Sequence, residues 1–346
     1  MRKPYYEVNK MNDNNTFLKV INLKKWFPVK RSLKDTILMK PKLYVRAVDG
    51  VSFKLKKKEI LGVAGESGCG KTTTGMTLIR LYEPTGGKVI YKGVNIYDLT
   101  KSEFRPLRRK FQIIFQDPYS SLNPRQSIYS IVSEPLRVHR LADSEEEIYD
   151  RVVKALEDVK LIPTEDFVTR YPHELSGGQR QRVAIARALI TDPEFIVADE
   201  PVSMLDVSIR AGVLNILLNL RDKYDLTMMF ITHDLAVAGY ISDKLAIMYL
   251  GKIVEYGPAE RILEKPMHPY TQALVSAVPV PDPDYKKERI ILRGEPPSPI
   301  FLPTGCRFWP RCPHAMDICK RKEPPLVEIE KGHYVACWLY AEEKEG

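Results

Sequence analysis

Eight consecutive residues have the types and the spacing of a loop that binds phosphate. They are Gly65-Glu66-Ser67-Gly68-Cys69-Gly70-Lys71-Thr72, which fit the pattern G-x-x-x-x-G-K-S/T at every fixed position. In such a loop successive backbone N–H groups point inward at an anion, and the following helix adds its positive N-terminal end. Lys71 would reach the terminal phosphates of a nucleotide, and the Thr72 hydroxyl would bind Mg²⁺. A glycine-rich surface turn, the alternative, does not explain why Lys and Thr follow the glycines.

Two adjacent acids, Asp199 and Glu200, follow the apolar run 193–198, which is typical of a buried strand. A carboxylate at the carboxyl end of a central strand, beside a phosphate loop, is in the usual place for a Mg²⁺ ligand, so Asp199 is the predicted ligand. Glu200 would polarise the water that attacks the phosphate. Without a phosphate loop in the chain, two solvated acids ending a strand would be the default interpretation.

Two further polar residues also follow predicted strands. Gln116 comes after the strand 111–115, and its amide could bind a metal or position a water molecule. His233 comes after the strand 227–232, and its ring could form a hydrogen bond with a γ-phosphate. Taken alone, Gln116 would be interpreted as a turn residue and His233 as a structural histidine.

A second anion-binding helix start is predicted about 110 residues after the phosphate loop. The segment Leu175-Ser176-Gly177-Gly178-Gln179 opens the helix 180–189, which is rich in Arg and Ala. A serine and two glycines at the N-terminus of a helix leave backbone N–H groups available to an anion.

The elements that must hold these residues alternate between short apolar strands and helices. The run 60–64 reads as a buried strand before the phosphate loop, and Thr73 opens the segment that continues as a helix after it. Residues 126–170 show helical periodicity with many charges, and Ser144 with Glu147 predicts a capping box at a helix start. This segment is predicted to be a helical insertion in an α/β core.

The region before the phosphate loop is predicted to supply strands and an aromatic residue for the nucleotide base. Alternating patterns over residues 16–27 and 44–55 predict two strands, separated by a basic loop with two prolines over residues 28–43. Phe27 and Tyr44 are the candidates for stacking on adenine, with Trp26 as a third. Each of them would also fit as an ordinary sheet residue.

Bulk composition is that of a globular protein, with 44% hydrophobic and 28% charged residues among 346. There is no run of 18 apolar residues, which argues against a membrane-spanning helix, and the N-terminus has no apolar core typical of a secretory signal. The net charge of +9 is concentrated in residues 1–60, which hold 16 Lys and Arg against 5 Asp and Glu. This surplus would suit nucleic acid or anionic lipid, but a lysine-rich solvated surface explains it as well, and no nucleic-acid-binding motif accompanies it.

Four of the five cysteines fall near the C-terminus, after a proline-rich segment that predicts an extended strap. Cys306, Cys312, Cys319 and Cys337 have the spacing C-x5-C-x6-C-x17-C. Four thiolates in a compact segment suggest a metal, yet zinc usually takes closer pairs and ferredoxin spacings also differ. A 4Fe–4S cluster, structural zinc, and free thiols or disulfides all remain open from the spacing alone.

The order and spacing of these motifs resemble an ATP-binding subunit of an ABC transporter over residues 16–260. Leu175–Gln179 matches the signature of that family without a substitution, and Gln116 falls at its Q-loop. The resemblance implies that Asp199 is the Mg²⁺-associated acid, Glu200 the catalytic base and His233 the switch histidine. Asp206 matches the D-loop, although Met204 stands where that loop usually has Ala.

The resemblance also implies an α/β fold: an ABC-type ATPase core with a mixed sheet, a helical subdomain over about residues 118–180, and a cysteine-containing extension over residues 261–346. Two such subunits would face head to tail and enclose two ATP molecules, each between the phosphate loop of one and Ser176–Gln179 of the other. The helical subdomain would receive short helices from membrane subunits.

Two further segments resemble the oligopeptide and dipeptide importers. They are Asp117–Arg125, after the Q-loop, and His268–Leu274, where the C-terminal extension of that group begins. The resemblance implies ATP, Mg²⁺ and a 4Fe–4S cluster on the four cysteines as cofactors. It also implies a homologous ATPase partner, usually a paralogue, two membrane permeases and an extracytoplasmic substrate-binding protein.

A peripheral position on the cytoplasmic face of the cell membrane follows from that resemblance, with no nucleic acid as a partner. The cargo stays open, because relatives of peptide importers can carry sugars. The alternative is a soluble ABC-type ATPase that acts on nucleic acid or ribosomes. Such proteins usually carry a long coiled-coil insertion or two cassettes, and this chain has neither pattern.

Overall fold

The computed structural model describes residues 16–31, 41–279 and 289–342. The predictions for the N-terminus, for residues 32–40 of the basic loop, and for Pro281 and Pro283 of the strap lie outside these residues. Within them, none of the helices combines the length and the apolar character needed to cross a membrane.

The strands of the described residues are mostly short, and the central ones consist almost entirely of buried apolar residues. In chain order they are β1 (Thr16–Pro28), β2 (Tyr44–Lys56), β3 (Ile60–Ala64), β4 (Gly86–Tyr91), β5 (Val94–Asn95), β6 (Phe111–Ile114), β7 (Phe195–Asp199), β8 (Thr227–Ile231), β9 (Lys244–Tyr249), β10 (Lys252–Pro258), β11 (Val327–Glu330) and β12 (His333–Val335).

The helices of the described residues range from one turn to five. In chain order they are α1 (Lys71–Leu78), α2 (Lys101–Phe104), α3 (Pro118–Ser121), α4 (Ile128–His139), α5 (Glu145–Asp158), α6 (Glu165–Val168), α7 (Gly177–Leu189), α8 (Val207–Tyr224), α9 (Leu235–Ile241), α10 (Ala259–Glu264), α11 (Pro269–Ser276) and α12 (Asp317–Arg321). Short 3-10 turns lie at Pro106–Lys110, Pro172–Glu174 and Trp309–Arg311.

The chain divides into two compact units. Unit 1 comprises the described residues within 1–55, 61–97 and 232–346, and unit 2 comprises residues 56–60 and 98–231. The phosphate loop and the cysteine-rich tail therefore belong to unit 1, whereas the signature segment and the two acids belong to unit 2. The boundary predicted at residue 260 remains a prediction.

Unit 1 contains two groups of paired strands. In one group the order is β2-β1-β4-β5, and in the other it is β11-β12-β10-β9-β3. β3 and β9 are parallel, whereas β9, β10, β12 and β11 are antiparallel to their neighbours. Because β12 of the tail pairs with β10, the C-terminal extension adds strands to the core of this unit.

An apolar cluster beneath the second group of strands joins the core to the tail. Tyr249 on β9, Tyr270 on α11 and Phe308 in the tail are each at most 1% exposed. Their ring centroids lie 4.8 to 5.4 Å apart. The described residues 289–308, which include most of the strap, form no helix or strand, as their proline content predicts.

Unit 2 combines a parallel group of strands with helices. Strands β6, β7 and β8 lie in sequence order and pair in parallel, with all five residues of both β7 and β8 buried. Helices α4, α5 and α7 pack against one another, and α3 packs on α7. The helical insertion predicted over residues 126–170 is thus present as α4, α5 and α6.

The helix starts agree with the sequence patterns except in one detail. Ser144 caps α5 by accepting a hydrogen bond from the Glu147 N–H at 3.1 Å. The predicted capping box is wrong in its second half, because the Glu147 carboxylate accepts from the N–H of Asp143 at 2.9 Å, one residue before the cap.

Candidate functional site

The phosphate loop of unit 1 connects the buried strand β3 to helix α1, as the motif requires. Its curl depends on glycines in backbone conformations that other residues rarely adopt, with φ values of +150° at Gly65 and +103° at Gly70. A Cβ atom at Gly65 would lie 2.2 Å from the Met248 carbonyl oxygen, and one at Gly70 would lie 2.0 Å from the Ala47 carbonyl oxygen. Neighbouring backbone therefore fixes the loop at both glycines.

Lys71 is buried and held inside this loop. Its ammonium group donates hydrogen bonds to the carbonyl oxygens of Gly65 at 2.7 Å and Glu66 at 3.0 Å. Burial raises the pKa of the neighbouring Cys69 thiol, although the Lys71 charge acts in the opposite direction. The Thr72 side chain is exposed at the start of α1, and Thr73 is half-buried. This set of residues fits a triphosphate with Mg²⁺, because the Lys71 ammonium and an exposed threonine lie where the loop meets the N-terminus of α1.

Residues far along the chain contact this loop. The N–H of Glu66 donates to the Tyr270 hydroxyl at 2.8 Å, and the Glu66 carboxylate accepts two hydrogen bonds from the Arg311 guanidinium, at 2.8 and 3.0 Å. The Cys69 carbonyl oxygen accepts from the Gly251 N–H at 2.8 Å. Sequence reasoning missed Arg311 as a neighbour of the loop, and no local pattern around it indicates this contact. Tyr270 does fall within the recognised segment His268–Leu274.

In unit 2 the structure brings Gln116 and Glu200 together. The Gln116 amide donates to the Glu200 carboxylate with a distance of 3.1 Å between Nε2 and Oε2. Glu200 has a left-handed backbone with φ of +47°, held by a hydrogen bond from its N–H to the Ile231 carbonyl oxygen at 2.9 Å. Such a conformation is uncommon outside glycine. Asp199, one residue earlier, ends β7 and is 6% exposed.

The signature segment of unit 2 forms a complete capping box at the start of α7. The Ser176 hydroxyl accepts from the Gln179 N–H at 3.3 Å, and the Gln179 side chain accepts from the Ser176 N–H at 2.9 Å. Gly178 is buried against Ile209, where a Cβ would come within 2.6 Å of that side chain. Ser176 itself is exposed at the helix start, so its face is open to an anion.

The two remaining motif residues lie at the starts of helices. Asp206 in unit 2 is the exposed N-cap of α8, and its carbonyl oxygen accepts from the N–H groups of Ile209 and Arg210, both at 3.0 Å. His233 in unit 1 is exposed and directly precedes Asp234, whose carboxylate caps α9 at 2.9 Å.

The aromatic candidates for adenine lie at the end of β1 and the start of β2. Phe27 makes an edge contact with Tyr82 at 5.5 Å, with the Lys25 ammonium 4.9 Å from its ring. Trp26 contacts Tyr44 at 6.2 Å and donates to the Asp49 carboxylate at 3.1 Å. All three rings thus contact neighbouring side chains, and the adenine contact stays a prediction for Phe27 and Tyr44, with Trp26 as the third candidate.

The four C-terminal cysteines share one neighbourhood in unit 1. The pKa of Cys306 is raised to about 11 and that of Cys337 to about 12, mainly by burial, and the charges of nearby cysteines contribute to both shifts. All three other C-terminal cysteines contribute to the raised pKa of Cys337. The five cysteines are free thiols in the described part of the chain. Across residues 16–31, 41–279 and 289–342, no group of three or more His, Cys, Asp or Glu is arranged to hold a metal ion.

Two known protein families match separate regions of the chain. The family described as ABC transporter matches residues 48–203. The family described as oligopeptide/dipeptide transporter, C-terminal region, matches residues 254–319. The first match contains the phosphate loop and both acids, and the second contains Tyr270 and Arg311.

Individual relatives are similar over nearly the whole chain. The oligopeptide transport ATP-binding protein AppF of Bacillus subtilis is 48% identical over 95% of this chain and 99% of its own length. The dipeptide transport ATP-binding protein DppF of Haemophilus influenzae is 48% identical over 95% of this chain and 98% of its own.

A solved structure is similar over the ATPase region. It is the ATP-binding cassette MJ0796 as a dimer in a post-hydrolysis state with ADP and phosphate, with a TM-score of 0.60 and 30% identity. The match covers 70% of this chain and 98% of that one. Together with the intact phosphate loop, signature and acidic pair, these similarities lead to one conclusion: this chain belongs to the ABC transporter ATP-binding proteins of the oligopeptide and dipeptide transporter group, and it is an ATPase.

Proposed function

We propose that this chain hydrolyses ATP to power the import of oligopeptides or dipeptides across the cell membrane. The observation that carries the proposal is that one chain matches both the ABC transporter family, over residues 48–203, and the C-terminal region of the oligopeptide/dipeptide transporters, over residues 254–319. AppF and DppF, which share 48% of their residues with this chain, are named for oligopeptide and dipeptide transport. Other subunits of the transporter would select the exact cargo. A related oligomer such as an oligosaccharide is the second possibility for it.

In this proposal the phosphate loop binds the triphosphate. The loop Gly65–Gly70 curls around the phosphates, and Lys71 moves from its loop carbonyls to the terminal phosphates. Thr72 and Thr73 lie in the first turn of α1, next to them. Phe27 or Tyr44 stacks on adenine. Thr72 would hold Mg²⁺ beside the phosphate loop, and Gln116 and Asp199 stay the predicted further ligands. The ion would neutralise phosphate charge.

Hydrolysis then depends on the pair formed by Glu200 and Gln116. Glu200, which directly follows β7, acts as the general base and accepts a proton from the attacking water. The Gln116 amide already donates to that carboxylate at 3.1 Å, which supports a role in orienting it. His233 contacts the γ-phosphate in this scheme.

The second anion-binding helix start serves a nucleotide held by another subunit. Ser176, Gly177, Gly178 and Gln179 face the ATP bound to the phosphate loop of a homologous ATPase, and Asp206 lies at the contact between the two subunits. The exposed position of Ser176 and of Asp206 supports this arrangement. The dimeric state of the cassette MJ0796 supports it as well. We expect the partner to be a paralogue, so that the pair is a heterodimer.

The remaining partners follow from the transporter group. Two membrane permeases bind the helical segment of unit 2, and an extracytoplasmic substrate-binding protein delivers the cargo to them. The chain would then be peripheral on the cytoplasmic face of the membrane, held there by the permeases.

We further propose that Cys306, Cys312, Cys319 and Cys337 bind a 4Fe–4S cluster. The electrostatic coupling of all four thiols supports this assignment, although they form no group arranged to hold a metal ion among the described residues. Because thiolates are the ligands and the pKa values of Cys306, Cys312 and Cys337 are raised, assembly should release protons. Purified protein with a broad absorbance near 400 nm and about four irons per chain would support a cluster. Colourless protein that contains zinc would contradict it.

Purification of a tagged chain from detergent-solubilised membranes tests the proposed function. We expect two membrane subunits and a second ATPase subunit to co-purify with it. Recovery of ribosomes or DNA in their place would contradict the proposal and favour a soluble ATPase.

A further inference from the structure

We propose that Arg311 and Tyr270 are positioning residues of the nucleotide site, so that the cysteine-bearing tail holds the phosphate loop in its binding shape. The inference rests on ATP binding by the loop, and it does not depend on which cargo is transported. All the residues involved lie in unit 1.

Arg311 contacts Glu66 directly. Two parallel hydrogen bonds, at 2.8 and 3.0 Å, join the guanidinium to the carboxylate. Their side chains are only 7% and 27% exposed. A bidentate arginine–carboxylate pair fixes the orientation of both groups, which a single lysine ammonium would not do.

The backbone of Glu66 is held independently of its side chain, by a hydrogen bond to Tyr270 on α11. Its N–H donates to the hydroxyl of Tyr270 at 2.8 Å. Tyr270 is fully buried and packs against Phe308, which lies three residues before Arg311 in the tail. Glu66 is thus fixed at its side chain by the tail and at its backbone by α11.

Glu66 also contacts Lys71, the lysine of the phosphate loop. The carbonyl oxygen of Glu66 accepts a hydrogen bond from the Lys71 ammonium at 3.0 Å. A displacement of Glu66 would therefore change the position from which Lys71 approaches the phosphates.

Arg307 secures the opposite end of the loop less directly. Its buried guanidinium donates to the Asp49 carboxylate and to the Leu250 carbonyl oxygen. The N–H of the next residue, Gly251, donates to the Cys69 carbonyl oxygen at 2.8 Å. The short tail segment that carries both arginines also carries Cys306 and Cys312, so one segment supports both ends of the loop.

Charge gives this arrangement a second consequence. Glu66 places a carboxylate within a loop whose function is to bind a highly charged anion, and like charges repel strongly where solvent is partly excluded. Arg311 neutralises that carboxylate and holds it in a fixed direction. Without Arg311, the unneutralised Glu66 carboxylate would repel the phosphates of the nucleotide.

A double-mutant cycle on the full-length chain tests the proposal. ATP binding and steady-state hydrolysis are measured for Arg311→Met, Glu66→Gln and the double variant, with metal content checked in each. We expect Arg311→Met to raise the KM for ATP about tenfold, the effect of losing a charge-assisted hydrogen bond, with kcat changed by less than about threefold. In the Glu66→Gln background the same Arg311 change should raise KM by less than about twofold.

Arg261→Met is the matched control, because it removes an arginine from an exposed pair with Glu330 in the same unit. It should leave KM unchanged. An unchanged KM in Arg311→Met would overturn the proposal, as would an equal loss in both Glu66 backgrounds. If Arg311→Met fails to fold, recovery of folding and ATP binding in the double variant supports the charge argument, and failure of both variants overturns it.

Discussion

Glu200 is held in an uncommon backbone conformation with its carboxylate hydrogen-bonded to Gln116. The left-handed φ of +47° and the hydrogen bond from the Glu200 N–H to the Ile231 carbonyl oxygen fix the direction of this side chain just after the end of β7. A proton acceptor has to be oriented as well as present, so this geometry gives a physical reason to assign the base to Glu200 in preference to its buried neighbour Asp199.

Replacing Glu200 with Gln should separate ATP binding from ATP turnover. The amide keeps the shape of the side chain but no longer accepts a proton, so kcat should fall about 10²- to 10⁴-fold. The affinity for ATP should stay near that of the unchanged chain in a nucleotide-binding assay. Glu264→Gln, which alters an exposed acid on α10, is the control and should turn over normally. Full turnover by Glu200→Gln would remove Glu200 from the role.

At the scale of elements, local sequence predicts well where a strand or helix carries a motif. The apolar run of β3, the Ser176 cap of α7 and the acidic end of β7 each depend on residues within a few positions of one another. The tail is different. β12 pairs with β10 through Tyr256 and Tyr334, and Arg311 contacts Glu66 across 245 positions of sequence. Pairings at such distance depend on the folded core, so no local pattern indicates them.

Two serine caps of similar geometry allow a matched test of the signature helix. Ser176 caps α7 at 3.3 Å and Ser144 caps α5 at 3.1 Å. Each serine-to-alanine change should cost about 1 kcal/mol of stability through the lost cap. Only Ser176→Ala should also lower ATP turnover of the assembled complex, because only that helix start is proposed to face a nucleotide. Equal turnover in the two variants would argue against an anion site at α7.

At the scale of the whole molecule, the tail is part of the ATPase unit and is anchored by a buried ion pair. Arg307 and Asp49 are 8% and 9% exposed at their side chains, and Arg307 also donates to the Leu250 carbonyl oxygen. The family matches divide the sequence into an ATPase region and a C-terminal region, yet the phosphate loop shares its unit with the latter.

Removing one member of this ion pair should be strongly destabilising. Arg307→Met leaves the Asp49 carboxylate buried without its main cation, and such losses cost about 3–5 kcal/mol. The exposed pair lost in Arg261→Met should cost less than about 1 kcal/mol. Denaturant unfolding of both variants measures the difference, and equal stabilities would contradict the anchoring role of Arg307.

The same ion pair predicts a pH dependence with a definite sign. Burial alone would raise the pKa of Asp49. The hydrogen bond and charge of Arg307, together with smaller contributions from Lys252 and Trp26, outweigh burial and lower the pKa below its ordinary value of 3.8. The folded chain therefore binds fewer protons at Asp49 than the unfolded chain. The stabilisation is complete above pH 3.8 and declines as the pH falls through the lower folded pKa. The stability difference between the unchanged chain and Asp49→Asn should accordingly shrink in acid, and a difference that grows there would contradict this assignment.

The claim on which the account depends is that ATP hydrolysis by this chain drives peptide import. Uptake of a labelled oligopeptide into proteoliposomes that contain the complete transporter measures it directly, with the unchanged chain, Glu200→Gln and Glu264→Gln compared side by side. We predict that uptake requires ATP with the unchanged chain and with Glu264→Gln, and that it falls with Glu200→Gln to the level measured without ATP. Undiminished uptake with Glu200→Gln would contradict the account.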